Sequence, residues 1–178
     1  LLRSGVTDLV IDLGGGNGPT EAEDAAHLLF GAVARAWNID KYRTRMPEKM
    51  RASLATIHVI NAPDGLREIW PKYEAVARGV AFTRELVAEP ANIIYPETFV
   101  ERCRQMAEMG VEFTVLDVPA MEKLGMHALL GVGQGSAKPS RVLAMRWNGL
   151  GDDAGKPLVL VGKGVTFDTG GISIKPGA

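Results

Sequence analysis

Short strand-like runs alternate along this chain with stretches whose apolar residues recur every three or four positions, and that alternation restricts the fold to the α/β class with a largely parallel or mixed sheet. Residues 6 to 12, VTDLVID, predict a strand, and Gly14 to Gly18 predict a turn after it. Thr20 and Glu23 stand in the T-x-x-E spacing of a capping box. They open a helix in which Ala22, Ala25, Ala26, Leu29, Val33 and Ala36 share a face, up to about Trp37. A second strand, 54 to 60, ends at the breaker cluster Asn61 to Gly65. From Leu66 to Val87 the apolar rhythm predicts a long helix that Pro71 offsets.

The second half repeats the alternation. Pro96 sits early in a helix that runs to Met109 and is closed by Gly110. The strand VEFTVLDV follows, then a helical turn over 120 to 124 and a glycine-rich loop, LLGVGQGS, over 129 to 136. Strands are expected over Arg141 to Trp147 and Leu158 to Val161. The organisation read from this pattern is a partial amino-terminal α/β lobe over 1–65, a linking helix over 66–89, and the start of a second α/β lobe with a mixed central sheet over 90–178.

Composition narrows the class further. Hydrophobic residues make up 46% and charged residues 23%, which excludes intrinsic disorder, collagen-like repeats and disulfide scaffolds. With 20 Lys and Arg against 21 Asp and Glu the formal charge is −1, so nothing in the balance points to nucleic acid. The single cysteine, Cys103, cannot form an internal disulfide and fits a reducing compartment, so a cytoplasmic location is expected. No apolar run approaches the roughly 18 to 20 residues that span a bilayer, and neither a membrane segment nor an export signal is expected.

Most motifs with a chemical reading fail on spacing. A G-x-G-x-x-G starting at Gly14 would need glycine where Pro19 stands, and one starting at Gly131 meets Ser136. Gly155-Lys156 lacks both the preceding glycine and the following Ser or Thr of a phosphate loop. These segments read as turns, which leaves a nucleotide-binding domain as a weak rival. His27, His58 and His127 form no H-x-x-x-H or H-x-E pair, so a histidine-based zinc site is not expected, and His27 and His58 read as structural. Cys103, near the middle of a helix, reads as a packing residue.

The stretch PLVLVGKGVTFDTGGISIKPGA is different. A core-like strand delivers Lys163, Asp168 and Lys175 among Gly162, Gly164, Gly170, Gly171 and Gly177, at the sheet rim where α/β proteins hold ligands. On residue types alone a solvated loop is the better reading, since two lysines and an aspartate after a strand are more often just that. VGKGVTFDTGGISIKP, however, resembles the first metal-binding segment of the leucyl aminopeptidase family, the two-metal cytosolic peptidases, in which lysine, aspartate and lysine occur at offsets of zero, five and twelve, as they do here. MEKLGMHALLGVGQGS with RVLAMRWN resembles the start of the same catalytic domain, and RELVAEPANIIYPETF resembles the entry to it.

The resemblance implies that Lys163 and Asp168 are metal ligands, with Asp168 bridging two divalent ions, zinc or manganese. It implies that Lys175 is a catalytic lysine facing the substrate carbonyl, and that an arginine-held bicarbonate moves the proton. It also implies a peptide substrate with leucine-like amino-terminal residues, and assembly into a homo-oligomer, a hexamer. The chemistry is coherent: a lysine ligates only through its neutral amine, so the ion must displace a proton, whereas an aspartate is already ionised.

The chain runs from Leu1 to Ala178, ending just past this stretch, and is expected to be a piece of a longer protein. The family's remaining acidic ligands and its bicarbonate arginine would then lie outside it. Two ligands cannot hold two ions, so these residues alone are expected to bind metal weakly. A rival reading is a non-catalytic binding or assembly module that kept the fold.

Overall fold

Strands β1 (Asp8–Asp12) and β2 (Thr56–Ile60) pair in parallel, Asp8 opposite Thr56 and Asp12 opposite Ile60. Parallel neighbours require a crossover, and helix α1 (Ala22–Ala36) provides it. The computed structural model describes residues 3–16, 18, 19, 21–151 and 155–166, and the chain divides into two units, Leu1–Ala88 and Glu89–Ala178.

In the first unit, side chains alternate between the two faces of the strand pair. Leu9, Ile11, Ile57 and Val59 are half-buried, while Asp8, Val10, Asp12, Thr56, His58 and Ile60 are exposed. Ile11 and Val59 join a core of Leu13, Ala25, Ala26, Leu29 and Leu66, against which Ile69, Trp70 and Tyr73 of helix α2 (Leu66–Ala88) also pack. Ala25 and Ala26 have no exposed surface, so these methyl-sized side chains let α1 approach its neighbours closely. Burial of a leucine such as Leu29 contributes about 2 kcal/mol.

Helix α1 does not begin as the capping-box spacing suggests. Thr20 lies outside the described residues, Glu21 occupies the cap position without a side-chain bond, and the Glu23 carboxylate instead accepts a hydrogen bond from the Tyr73 hydroxyl at 2.5 Å. The competing partner comes from α2, 50 residues away in sequence. Pro71 sits inside α2, where it cannot donate to the Arg67 carbonyl, yet the helix continues to Ala88.

In the second unit, α3 (Pro96–Arg104) starts with proline in its first turn and passes into a 3-10 turn, Gln105–Met109. Gly110 closes it at φ 83°, a left-handed conformation that favours glycine. The expected single helix to Met109 is thus tightened over its last five residues. Strand β3 (Val111–Leu116) pairs antiparallel with β4 (Val142–Trp147), Val111 opposite Trp147 and Leu116 opposite Val142. The sheet here, among the described residues, is this antiparallel pair.

Three segments depart from expectation. The strand expected through Val118 stops at Leu116, because the Asp117 carboxylate accepts the Ala120 N–H at 3.0 Å and caps α4 (Val118–Lys123). The expected glycine-rich loop is largely helix α5 (His127–Gly133), in which Leu129 and Leu130 are half-buried. Their packing outweighs the roughly 1 kcal/mol that each helical glycine costs. Leu158 to Val161 form no strand: their exposures are 88, 69, 88 and 93%. A strand gains its backbone hydrogen bonds from a neighbour, and no described residue pairs with this run.

Candidate functional site

The segment carrying Lys163 is reached from β4. The Trp147 ring covers Gly149 so closely that a Cβ there would lie 2.4 Å from the ring, and Gly151 follows at φ 60°. Residues 155–166 then run without regular structure, and Lys163 is exposed. The Val165 N–H donates to the Lys163 carbonyl at 3.2 Å, a three-residue turn centred on Gly164. Among the described residues the Lys163 side chain has no ion-pair or hydrogen-bond partner. Asp168 and Lys175 lie outside the described residues.

The chain leading into this segment is anchored at the start of β4. Arg141 donates from Nη2 to Glu97 Oε1 at 2.8 Å and from Nη1 to the Ser140 carbonyl at 2.9 Å. Lys138 Nζ stands 3.9 Å from the centroid of the Tyr95 ring, a cation–π contact. The Thr98 hydroxyl donates to the Ile93 carbonyl at 2.7 Å and accepts the Tyr95 N–H at 3.0 Å. The stretches 93–98 and 138–141 are thus joined through Arg141 and Lys138.

The other candidates fall into structural roles. His58 Nε2 lies 3.1 Å from Asp8 Oδ1 across the open face of the first sheet. Hydrogen bonds from Thr7 and then His58 hold the Asp8 carboxyl below its usual range. His27 packs edge-on against Tyr73, with ring centroids 5.1 Å apart. His127 begins α5 and is exposed. Cys103 is 2% exposed, and burial raises its thiol pKa, which suits packing. Gly14 lies against Asn61 and donates to the Asp12 carboxylate at 2.9 Å, so it is part of a turn. No group of three His, Cys, Asp or Glu side chains that could hold a metal ion occurs among the described residues.

Residues 81–178 match the model of the cytosol aminopeptidase family, catalytic domain. This chain belongs to the cytosol aminopeptidase family. It is 48% identical to a probable cytosol aminopeptidase of Afipia carboxidovorans over 94% of this chain and 33% of that protein. It is 43% identical to one of Caulobacter vibrioides over 97% of this chain and 34% of that protein. The chain therefore spans about a third of the length of these relatives.

Among solved structures, it is similar to the bottromycin maturation enzyme BotP in complex with Mn, with a TM-score of 0.65 and 28% identity, covering 80% of this chain and 30% of that one. It also shares the fold of a mutant tomato leucine aminopeptidase, with a TM-score of 0.68 at 21% identity, covering 81% of this chain and 30% of that one. The α/β class read from the alternating pattern agrees with these neighbours. No helix among the described residues is long and apolar enough to cross a membrane.

Proposed function

We propose that this chain carries part of the two-metal centre of an aminopeptidase that releases leucine-like residues from the amino terminus of peptides. The observation that carries the reading is the family match over residues 81–178, which includes the lysine, aspartate and lysine at 163, 168 and 175. A structural neighbour in complex with Mn supports a divalent ion as cofactor, zinc being the alternative.

The donor set fits such an ion. Lys163 offers an amine in an exposed segment, without a side-chain partner among the described residues, and a neutral amine with a carboxylate suits zinc or manganese. Lys163 would hold one ion, and Asp168, with two oxygens, would bridge the pair. Bound together, two divalent ions lower the pKa of a shared water and polarise the scissile carbonyl. Lys175, protonated, would donate to the carbonyl oxygen as negative charge grows on it, a contribution of about 2.7 to 4 kcal/mol for one such donor. A bicarbonate would move the proton, held by an arginine that is not among the proposed residues.

Two ligands do not complete two coordination shells. A polypeptide limited to residues 1–178 binds two ions weakly and turns over little peptide. The full-length protein is expected to form a homo-oligomer, a hexamer by family likeness, in the cytoplasm.

The test is hydrolysis of a leucine anilide by the full-length protein before and after exhaustive chelation. Activity is expected to vanish with the metal, to return with Zn²⁺ or Mn²⁺, and to fall at least about a hundredfold in Asp168→Asn. Turnover that survives complete metal removal would overturn the reading. Metal and peptide binding without turnover would favour the non-catalytic module.

A further inference from the structure

The first unit holds an open cleft of about 650 Å³ whose lining includes Arg3, Arg35, Trp37, Asn38, Asp40 and Arg43. Three arginines and a single carboxylate line it. Arg3 is already engaged: Nη1 donates to the Met50 carbonyl, and Nη2 lies 3.1 Å from Asp40 Oδ1. Asp40 Oδ2 is 2.8 Å from the same nitrogen, close in charge but not aligned for a hydrogen bond. Arg43 reaches Asp40 only at 3.7 Å. Arg35, exposed in the last turn of α1, has no ion-pair or hydrogen-bond partner among the described residues.

The charges therefore do not cancel. Three arginines against one aspartate leave two positive charges, and the carbonyl end of α1 offsets about half of one. Among the described residues Arg35 has no side-chain partner, and Arg43 has only its 3.7 Å pair with Asp40. Trp37 and Ile39 are its apolar lining, and the Arg84 guanidinium lies 5.8 Å from the Trp37 ring centroid. Guanidinium forks match the geometry of phosphate oxygens and can bind them in pairs. Arg3, Arg35 and Arg43 are too widely spaced in the chain to form a motif, so only the fold brings them together.

From this juxtaposition we infer that the cleft is a binding site for a phosphate dianion, free or carried on a small organic group. Arg35 and Arg43 grip the oxygens, Arg3 supplies fixed charge, and Trp37 contacts any organic portion. The site is independent of the metal-binding reading, since none of its residues belongs to that segment.

Calorimetric titration of the full-length protein with inorganic phosphate and with phenyl phosphate, in buffer of low ionic strength, tests this. Saturable binding of one equivalent is expected, weakened about tenfold or more in Arg35→Gln, the loss of one charge-assisted contact. It should be unchanged in Arg78→Gln, which removes an arginine paired with Glu74 outside the cleft. Tighter binding of phenyl phosphate identifies a phosphomonoester as the ligand, and equal or tighter binding of inorganic phosphate identifies the free anion. The inference is overturned by absence of saturable binding. It is equally overturned by binding that Arg35→Gln leaves intact, which would place the anion at the metal centre, or by equal weakening in both variants, which would reveal general charge attraction.

Discussion

Arg141 Nη2 lies 2.8 Å from Glu97 Oε1, tying the entrance of β4 to the first turn of α3. The two side chains are 20% and 39% exposed, so the pair is partly screened and is worth less than a buried one. Replacing Arg141 with Met is expected to lower stability by about 1 kcal/mol. A double-mutant cycle with Glu97→Gln, read by urea unfolding, should return a coupling of about 0.5 to 1 kcal/mol. A coupling of zero would mean that this pair does not anchor β4.

Tyr73 links α2 to α1 by donating to Glu23 and packing against His27. The neighbouring Glu23 carboxylate, with a smaller contribution from burial, raises the Tyr73 pKa above its ordinary 10.0. A raised pKa means that the phenol's stabilising contribution is complete below about pH 10 and is lost as pH climbs through the folded value. Ultraviolet titration should show a late-ionising tyrosine component that disappears in Tyr73→Phe. The variant should also unfold at lower urea concentration than the parent at neutral pH.

Two carboxylates on the open face of the first sheet should shape the acid limb of stability. Asp8 is lowered by hydrogen bonds from Thr7 and His58, and Asp12 by Asn61 and the Gly14 N–H. Depressed values contribute stability that is present above the unfolded pKa of 3.8 and is lost as pH falls through the folded values. Carbon-detected NMR of the two carboxyls should give midpoints below 3.8. Midpoints at or above that value would show that these hydrogen bonds do not form in solution.

The proposed roles of Lys175 and Asp168 separate kinetically. Lys175→Met in the full-length protein should lower kcat by about 10²- to 10³-fold while two equivalents of metal remain bound, as for loss of one donor to a developing oxyanion. Asp168→Asn should instead lose bound metal, measurable by elemental analysis after gel filtration. If Lys175→Met also strips the metal, its assignment to the substrate side fails.

Local rules explain which elements were legible in advance. Pro96 and Gly110 mark the ends of their helical segment because one pre-sets φ and the other accepts φ near 83°. The apolar rhythm of 66–87 matches α2 to within a residue. The helix at His127–Gly133 was hidden by its glycines, whose low propensity is overridden by half-buried Leu129 and Leu130. Asp117-Val118-Pro119 carries a cap-and-proline signal for α4 that a continuous strand reading overlooks. Lys163, Asp168 and Lys175 could be singled out because their spacing is a linear property of the chain.

By itself, then, the order of residues determined the alternation of helices and strands, most of their limits, and the family to which the chain belongs. Those features depend on interactions within a few residues or on direct sequence likeness. Tertiary structure decided what depends on distant partners: the parallel pairing of β1 with β2, the diversion of Glu23 to Tyr73, and the convergence of Arg3, Arg35 and Arg43 on one cleft. It also decided that Leu158 to Val161 are not a strand here, because backbone pairing requires a neighbour that a hydrophobic run cannot supply for itself.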